Sequence, residues 1–402
     1  MDEVAREYLV IGLGLDRLQE GIVDSYFGPP ELRDEAAAQD ASAVSLAGRA
    51  FKLRARLESL TGDTQRRDWL DRQLVAMETL AQTLGGQKMA YTEEVERCFD
   101  ARPEPIPPET YAQIRRDLEE LLSGQGDLRQ RIEARDTRFT VPTEHIGSIA
   151  EWLATELRAD SAAAWPIPDG EELVVSLVTG QPWAAYNWYD GSLRSRIEIE
   201  ISVPVRAPQL IGTLAHETFP GHHLEHAWKE QRLLRERGHV EASMLLINTP
   251  EAYISEGLAE VGHTLVVSAA RWQELLIEVC ERAGIALDAE GAEREWRTSQ
   301  VLRRLRAASG DAALQLHSAR RSVEDVKRFL VEDGLYTPDR AAKTLDFITH
   351  PLWRTYVFCY GGGERLLSAW CSAAGDADAR KQRFYRLLTE QLTPSGIAAE
   401  IA

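Results

Sequence analysis

The sequence predicts a mainly α-helical fold with one small element of β-structure. Long segments carry apolar residues at three- and four-residue spacing, with charged residues on the opposite face. From about residue 207 this helical pattern continues almost to the end of the chain. Only two short segments have strand-like patterns. Before residue 170, the predicted helical segments are residues 2–24, 42–61, 64–84, 108–123 and 143–160.

The two strand-like segments lie between the two helical regions. Residues 171–178 form a short apolar run, which suits a buried strand. Residues 196–205, RIEIEISVPV, alternate between apolar and polar side chains, as in a half-buried strand, and Pro204 suits an edge position. Asp190 and Gly191 are typical of a hairpin turn. We therefore expect a β-hairpin or short sheet beside the helix that follows.

The stretch RPEPIPP at residues 102–108 is a rigid extended connector. It predicts a boundary between an N-terminal helical layer, residues 1–100, and a larger region, residues 101–402. We expect the two parts to pack as one continuous compact domain.

Composition excludes several classes of partner. The net charge of −18 argues against nucleic acid and anionic membrane surfaces, because both are bound by basic patches. The chain shows no secretory signal pattern and no run of 18 apolar residues. Its four cysteines have no C-x-x-C spacing, so we expect reduced core thiols in a cytoplasmic protein.

Residues 216–223 read HETFPGHH, which resembles the zinc-binding pattern H-E-x-x-H with two additional residues. In a straight helix, His222 would point away from His216, and His223 would lie about 10.5 Å further along the axis. Pro220 lacks the N–H that a regular helix needs, and Gly221 permits unusual backbone angles. We therefore predict a kinked helix in which a later histidine returns beside His216.

The predicted zinc site consists of two histidines and one carboxylate, and it binds one zinc ion per chain. The Gly-His ending of the motif favours His222 over His223 as the second ligand. Thr249 and Pro250 begin a second helix, predicted to reach Gly284, which carries Glu256 as the third ligand, the gluzincin arrangement. Glu260, one turn later, is placed to accept a hydrogen bond from a ligand histidine. Glu217 would act as general base on water activated by the metal.

HETFPGHH together with the later SEGLAE at residues 255–260 resembles the bacterial family known as domain of unknown function 885. That family carries H-E-x-x-P-G-H-H and E-G-x-A motifs, and its fold is similar to that of carboxypeptidase Taq-type metallocarboxypeptidases. The resemblance implies a large gluzincin-like, multi-helix metallopeptidase fold with zinc at His216, His222 and Glu256. It also implies catalytic roles for His317, in ALQLH, and for Tyr360, which would donate to the oxyanion.

The predicted function is zinc-dependent hydrolysis of short peptides, in the manner of a carboxypeptidase. Such an enzyme needs a cation near its pocket, and Arg354, Arg303 and Arg304 are the candidates. The alternatives are a zinc hydrolase of a non-peptide amide, a non-catalytic metal-binding protein on a peptidase scaffold, and a non-haem Fe(II) oxygenase. The predicted partner is a peptide or small amide, and the sequence predicts no particular oligomeric state.

Overall fold

The computed structural model describes residues 1–60 and 62–402, and the predicted mainly α fold is confirmed. The α-helices are α1 (Glu3–Leu18), α2 (Glu31–Ala38), α3 (Ala43–Arg56), α4 (Thr64–Leu84), α5 (Tyr91–Phe99), α6 (Pro108–Leu121), α7 (Leu128–Arg138), α8 (Thr143–Ala162), α9 (Ala207–Glu217), α10 (His222–Lys229), α11 (Pro250–Val266), α12 (Ala269–Arg282), α13 (Ala289–Arg304), α14 (Ala308–His317), α15 (Val323–Glu332), α16 (Pro338–Thr349), α17 (Val357–Ser372), α18 (Ala377–Thr389) and α19 (Pro394–Ala399). The strands are β1 (Val23–Tyr26), β2 (Glu172–Val178), β3 (Ala185–Gly191), β4 (Arg194–Glu200) and β5 (Met244–Leu246).

Two predicted helices are longer than the observed ones, and local hydrogen bonds explain both differences. The first ends at Leu18, because the carboxylate of Asp16 accepts hydrogen bonds from the backbone N–H groups of Gly21 and Val23, which begins β1. The helix predicted to reach Gly284 is divided after Val266. Ser268 starts α12 there, because its hydroxyl accepts the N–H of Arg271.

The three-stranded sheet has the order β2-β4-β3, which reverses two predictions. The predicted edge strand, β4, is central: it pairs in parallel with β2 and antiparallel with β3, and it ends before Pro204. The segment predicted as a buried strand, β2, is instead a partly exposed edge strand. The predicted hairpin is present, but its turn residues are Ser192 and Leu193, with φ of 57° and 61°, whereas Asp190 and Gly191 are the last residues of β3.

The second, two-stranded sheet brings the N-terminal segment to the middle of the chain. In it, β1 pairs antiparallel with β5, which precedes α11. The backbone N–H of Ile247 also donates to the carbonyl oxygen of Ile22 at 2.9 Å. Residues near position 24 therefore lie beside the start of the helix that carries Glu256.

Two hydrophobic cores meet along α11 and α17. Tyr253 and Phe358 belong to the first core, while Leu258 and Leu367 belong to the second. The first core contains residues from both sides of the boundary predicted at residue 101. The division into an N-terminal layer and a larger region therefore stays a prediction.

Among the described residues, no helix combines the length and apolar character needed to cross a lipid bilayer. The four cysteines are buried and free, as predicted.

Replacement of Gly257 by alanine should destabilise the fold. A Cβ at Gly257 would lie 2.6 Å from the carbonyl carbon of Gly363, so α11 and α17 would have to separate. We expect the free energy of unfolding to fall by about 1–3 kcal/mol, measured by chemical denaturation. The control is Gly48→Ala in α3, where no atom lies within 4 Å of the added Cβ and stability should rise by about 0.5–1 kcal/mol. Equal effects of the two changes would contradict the proposed close contact.

Candidate metal centre

The helix that carries the histidine motif is broken between Thr218 and Gly221. α9 ends at Glu217, and Thr218 has φ −114° and ψ −96°, outside the helical region. The peptide bond between Phe219 and Pro220 is cis. Gly221 then passes so close to α9 that a Cβ there would lie 1.9 Å from the carbonyl oxygen of His216. Only glycine fits this approach, after which α10 begins at His222.

The break brings two histidines and one glutamate together. The Nε2 atoms of His216 and His222 lie 3.1 Å apart. Oε2 of Glu256, on α11, lies 3.4 Å from Nε2 of His216. One ligand-type atom from each of the three residues lies within 4.8 Å of the others. The structure therefore places the three predicted ligands around one point.

The spacing of these atoms fits zinc. Ligand atoms at about 2.0–2.1 Å from a tetrahedral ion lie about 3.3 Å from one another. The observed separations of 3.1 and 3.4 Å agree with that value. Oε2 of Glu256 is also buried without a hydrogen-bond partner, although such an atom is costly to bury alone. Two imidazoles, one carboxylate and an unsatisfied buried oxygen are a suitable donor set for a zinc ion.

The outer nitrogen of His216 faces a second carboxylate. Its Nδ1 lies 3.4 Å from Oε1 of Glu260. Glu260 is itself paired with Arg306 and lies 3.7 Å from Arg303. Burial lowers the pKa of His216, but the carboxylates of Glu256 and Glu260 outweigh that effect and raise the pKa above its usual value. The surroundings of His216 therefore favour a cation, either a proton or a metal.

The outer nitrogen of His222 faces a hydroxyl. Nδ1 of His222 lies 3.1 Å from Oγ of Ser255, and that hydroxyl donates to the Glu225 carboxylate at 2.6 Å. Ser255 must then accept from the Nδ1–H of His222, which leaves the lone pair of Nε2 directed at His216. Lys229, whose Nζ lies 2.6 Å from Glu225, neutralises the carboxylate in this buried chain of contacts. Ser255 and Glu225 thus fix the tautomer of His222.

His223, the alternative ligand, points elsewhere. It is fully buried, with Nδ1 2.8 Å from Oγ of Ser195 and Nε2 2.8 Å from Oε2 of Glu171. Both ring nitrogens are therefore occupied by contacts with the three-stranded sheet. His223 joins α10 to that sheet and is not part of the metal centre.

Glu217 lies at the floor of a cavity of about 540 Å³ that also contains the three candidate ligands. Its backbone oxygen accepts a hydrogen bond from Nδ2 of Asn187 on β3, at 2.7 Å. Its carboxylate has no hydrogen-bond partner in the described part of the chain, and burial raises its pKa. A carboxylate in this position is available to exchange protons with a molecule in the cavity.

Two tyrosines of the predicted C-terminal part line the same cavity, while the predicted histidine does not. Tyr360 is in the cavity wall, one turn after Tyr356, whose hydroxyl donates to Oε1 of Glu256 at 2.6 Å. Sequence analysis missed Tyr356, although its i, i+4 spacing from Tyr360 could have indicated it. His317 lies outside this cavity lining, with Nε2 2.6 Å from the carbonyl oxygen of Ile348, so the structure does not bring it to the site.

The remaining walls of the cavity are largely apolar. Aromatic and aliphatic side chains from three parts of the chain surround the polar floor. They are Trp183, Tyr186, Leu245, Ile247, Phe347 and Trp353. Such a cavity, with a few convergent polar groups, is typical of a binding site for a small molecule or a short peptide.

Comparison with known structures supports the fold alone. A "putative lipoprotein" from Colwellia psychrerythraea is 15% identical, with a TM-score of 0.53 over 89% of this chain. This chain spans 66% of that protein. A "putative lipoprotein" of unknown function from Shewanella oneidensis is 11% identical, with a TM-score of 0.53 over 98% of this chain and 82% of that one. The M32 carboxypeptidase of Deinococcus radiodurans R1 matches with a TM-score of only 0.40, at 13% identity over 99% of this chain and 94% of that one.

No model of a known protein family matches the chain, and no curated protein matches it either. Membership of the domain of unknown function 885 family therefore stays a prediction, and so does the cytoplasmic location.

Separate replacement of His222 and His223 by alanine should distinguish their roles. The His222 variant should lose zinc, because one of three ligands is removed. The His223 variant should keep one zinc per chain but lose about 1–3 kcal/mol of stability, because buried partners on the sheet lose a hydrogen bond. Metal analysis after dialysis and chemical denaturation measure the two effects. Loss of zinc from the His223 variant alone would assign the ligand to His223.

Ser255→Ala should weaken zinc binding without removing a ligand. The Nδ1–H of His222 would lose its acceptor, and loss of such an outer contact typically costs about 10–100-fold in metal affinity. Competition with a chromogenic zinc chelator measures the dissociation constant. Ser148→Ala, an exposed change on α8, is the matched control. An unchanged zinc affinity in the Ser255 variant would show that the contact does not orient His222.

Proposed function

We propose that this protein is a zinc-dependent metallopeptidase that hydrolyses short peptides, with one zinc ion per chain. The observation that carries the proposal is the position of Glu217. Its carboxylate has no hydrogen-bond partner among the described residues and shares a cavity with a donor set of zinc-like spacing. An oxygenase with two histidines and one carboxylate would have no use for such a base. A hydrolase requires one.

The proposed ligands are His216, His222 and Glu256. Zinc held by them would polarise the substrate carbonyl and make water acidic enough to attack it at neutral pH. Glu217 would accept the proton of the attacking water and deliver it to the leaving amine. Tyr356 would hold Glu256 in place through its hydrogen bond to Oε1.

Tyr360 is proposed to stabilise the oxyanion that develops on the substrate. Its ring lines the cavity and stands nearly perpendicular to that of Tyr356, with ring centres 5.7 Å apart. The described residues provide no hydrogen-bond partner for its hydroxyl, so the hydroxyl is free to donate to a ligand. Burial and the nearby carboxylate of Glu256 raise the pKa of Tyr360, which keeps the hydroxyl protonated at neutral pH.

The edge strand β3 is proposed to align the peptide backbone. The N–H of Glu200 donates to the carbonyl oxygen of Ala184 at 2.9 Å, and antiparallel pairing alternates from there. The backbone groups of Ala185 and Asn187 therefore point away from β4, on the strand edge that borders the cavity. An extended peptide could pair with these groups whatever its side chains.

Glu217→Gln should abolish hydrolysis while zinc remains bound. The amide has nearly the same size as the carboxylate but cannot accept the proton, and loss of a general base typically costs about 10²–10⁴-fold in rate. Mass spectrometry of a peptide-library digest measures cleavage, and metal analysis measures zinc. Glu151→Gln, an exposed change on α8, controls for the loss of charge.

Each outcome of this experiment has a meaning. The proposal is supported if the wild-type protein cleaves peptides, loses that activity on chelation and regains it when zinc is added. The Glu217 variant should not cleave under any of these conditions. Bound iron instead of zinc would contradict it. Cleavage of small amides but of no peptide would indicate a non-peptide amidase, and zinc without any hydrolysis would indicate a binding protein.

A further inference from the structure

A carboxylate outside the metal centre forms part of the cavity wall. Asp24 lies on β1, in the segment VDSYFGPP that ends the first helical part of the chain. The hydroxyl of Tyr186, on β3, donates to Oδ1 of Asp24. Oδ2 of Asp24 has no hydrogen-bond partner in residues 1–60 and 62–402. One oxygen of this half-buried carboxylate is therefore available to a ligand in the cavity.

A second acceptor without a partner lies on the same wall. Asn187 is 8% exposed and lines the cavity. Its Nδ2 donates to the backbone oxygen of Glu217, which fixes the orientation of the amide. Its Oδ1 is buried and has no partner in the described residues. A buried amide oxygen normally accepts a hydrogen bond, so this wall has acceptors but lacks a donor.

The charges in the cavity favour a cation over an anion. Asp24, Glu217 and Glu256 carry three negative charges when ionised, and a zinc ion would offset two of them. Lys343 is the one lysine or arginine among the described lining residues; it lies on the exposed rim, together with Asp346. Burial raises the pKa of Asp24, although the hydrogen bond from Tyr186 and the nearby His222 act in the opposite direction.

The arginines that could have bound a terminal carboxylate are paired elsewhere. Arg354 pairs with Glu94 at 2.5 Å, and Arg303 pairs with Glu364 at 2.7 Å. Arg304 pairs with Asp117 at 2.8 Å. All three also lie outside the lining of the cavity. Within the described residues, the walls thus provide acceptors for an amine but no buried lysine or arginine for a carboxylate.

We infer that Asp24, positioned by Tyr186, binds a primary ammonium group, and that the substrates are peptides with a free amino terminus. The second part rests on the proposed function, while ammonium binding does not. The reaction would then release residues from the amino end of a peptide, as in an aminopeptidase or dipeptidase. The apolar walls would accept the hydrocarbon part of the same residue.

Binding of two small probes tests the ammonium site without any reaction. n-Pentylamine and n-pentanol share an apolar chain, but only the amine is charged. By isothermal titration calorimetry on the purified metal-containing protein, we expect the amine to bind about 10–100-fold more tightly than the alcohol. Asp24→Asn should abolish this preference, whereas Asp34→Asn, at an exposed position on α2, should retain it. Tyr186→Phe keeps the Asp24 carboxylate but removes its hydrogen-bond donor, so this variant should retain part of the preference for the amine.

Equal binding of the two probes to wild type would overturn the inference, and this comparison depends on no variant. A preference that persists in Asp24→Asn would also overturn it.

Peptide cleavage tests the substrate class and separates it from the proposed function. The substrates are a free dipeptide, its N-acetyl form and its C-terminal amide. We expect cleavage of the free and amidated forms and at least about a 10-fold lower kcat/KM for the acetylated form. Faster cleavage of the acetylated form than of the amidated form would indicate a carboxypeptidase. That result would overturn the inference and leave the proposed function intact. If the amine binds but no peptide is cleaved, the proposed function fails and the ammonium site stands.

Discussion

The metal centre depends on the close passage of the chain over its own helix end at Gly221. Because residue 221 has no side chain, the backbone can pass against the carbonyl oxygen of His216 and start a new helix immediately. His222 is thereby placed opposite His216, with their Nε2 atoms 3.1 Å apart. The same change of direction turns His223 towards the sheet and leaves Glu217 at the end of α9. One backbone constraint thus directs Glu217, His222 and His223 to three different surroundings.

The buried carboxylates behind the candidate histidine ligands are paired with basic side chains. The outer nitrogen of His216 faces the Glu260 carboxylate, which pairs with Arg306. The outer nitrogen of His222 contacts the Ser255 hydroxyl, and the Glu225 carboxylate behind it pairs with Lys229. Isolated ionised groups would be very costly to bury, whereas paired and hydrogen-bonded ones are tolerated. The three candidate ligands are an exception, since Oε2 of Glu256 lacks a partner. This local deficit is what a bound cation would correct.

Sequence patterns predicted the elements that depend on local rules, and missed those that depend on distant partners. Apolar spacing located α4 at Thr64–Leu84, and the Thr249-Pro250 start of α11 followed from capping. The order of the sheet could not be predicted, because the alternation in RIEIEISVPV shows one buried face but not whether both strand edges are paired. The three candidate ligands followed from helix geometry and motif spacing. Asp24 reaches the cavity only through tertiary packing, which leaves no spacing signal.

The contact between Gly257 and Gly363 has a consequence for ligand binding as well as for packing. Glu256 directly precedes the point where α11 meets the backbone of α17, and Tyr356, immediately before α17, donates to its carboxylate. The third candidate ligand is thus confined before any ion arrives, so little conformational entropy remains to be lost on coordination. A loosely held glutamate would lose that conformational entropy each time an ion binds, which would weaken binding. The helix crossing therefore preorganises the metal centre.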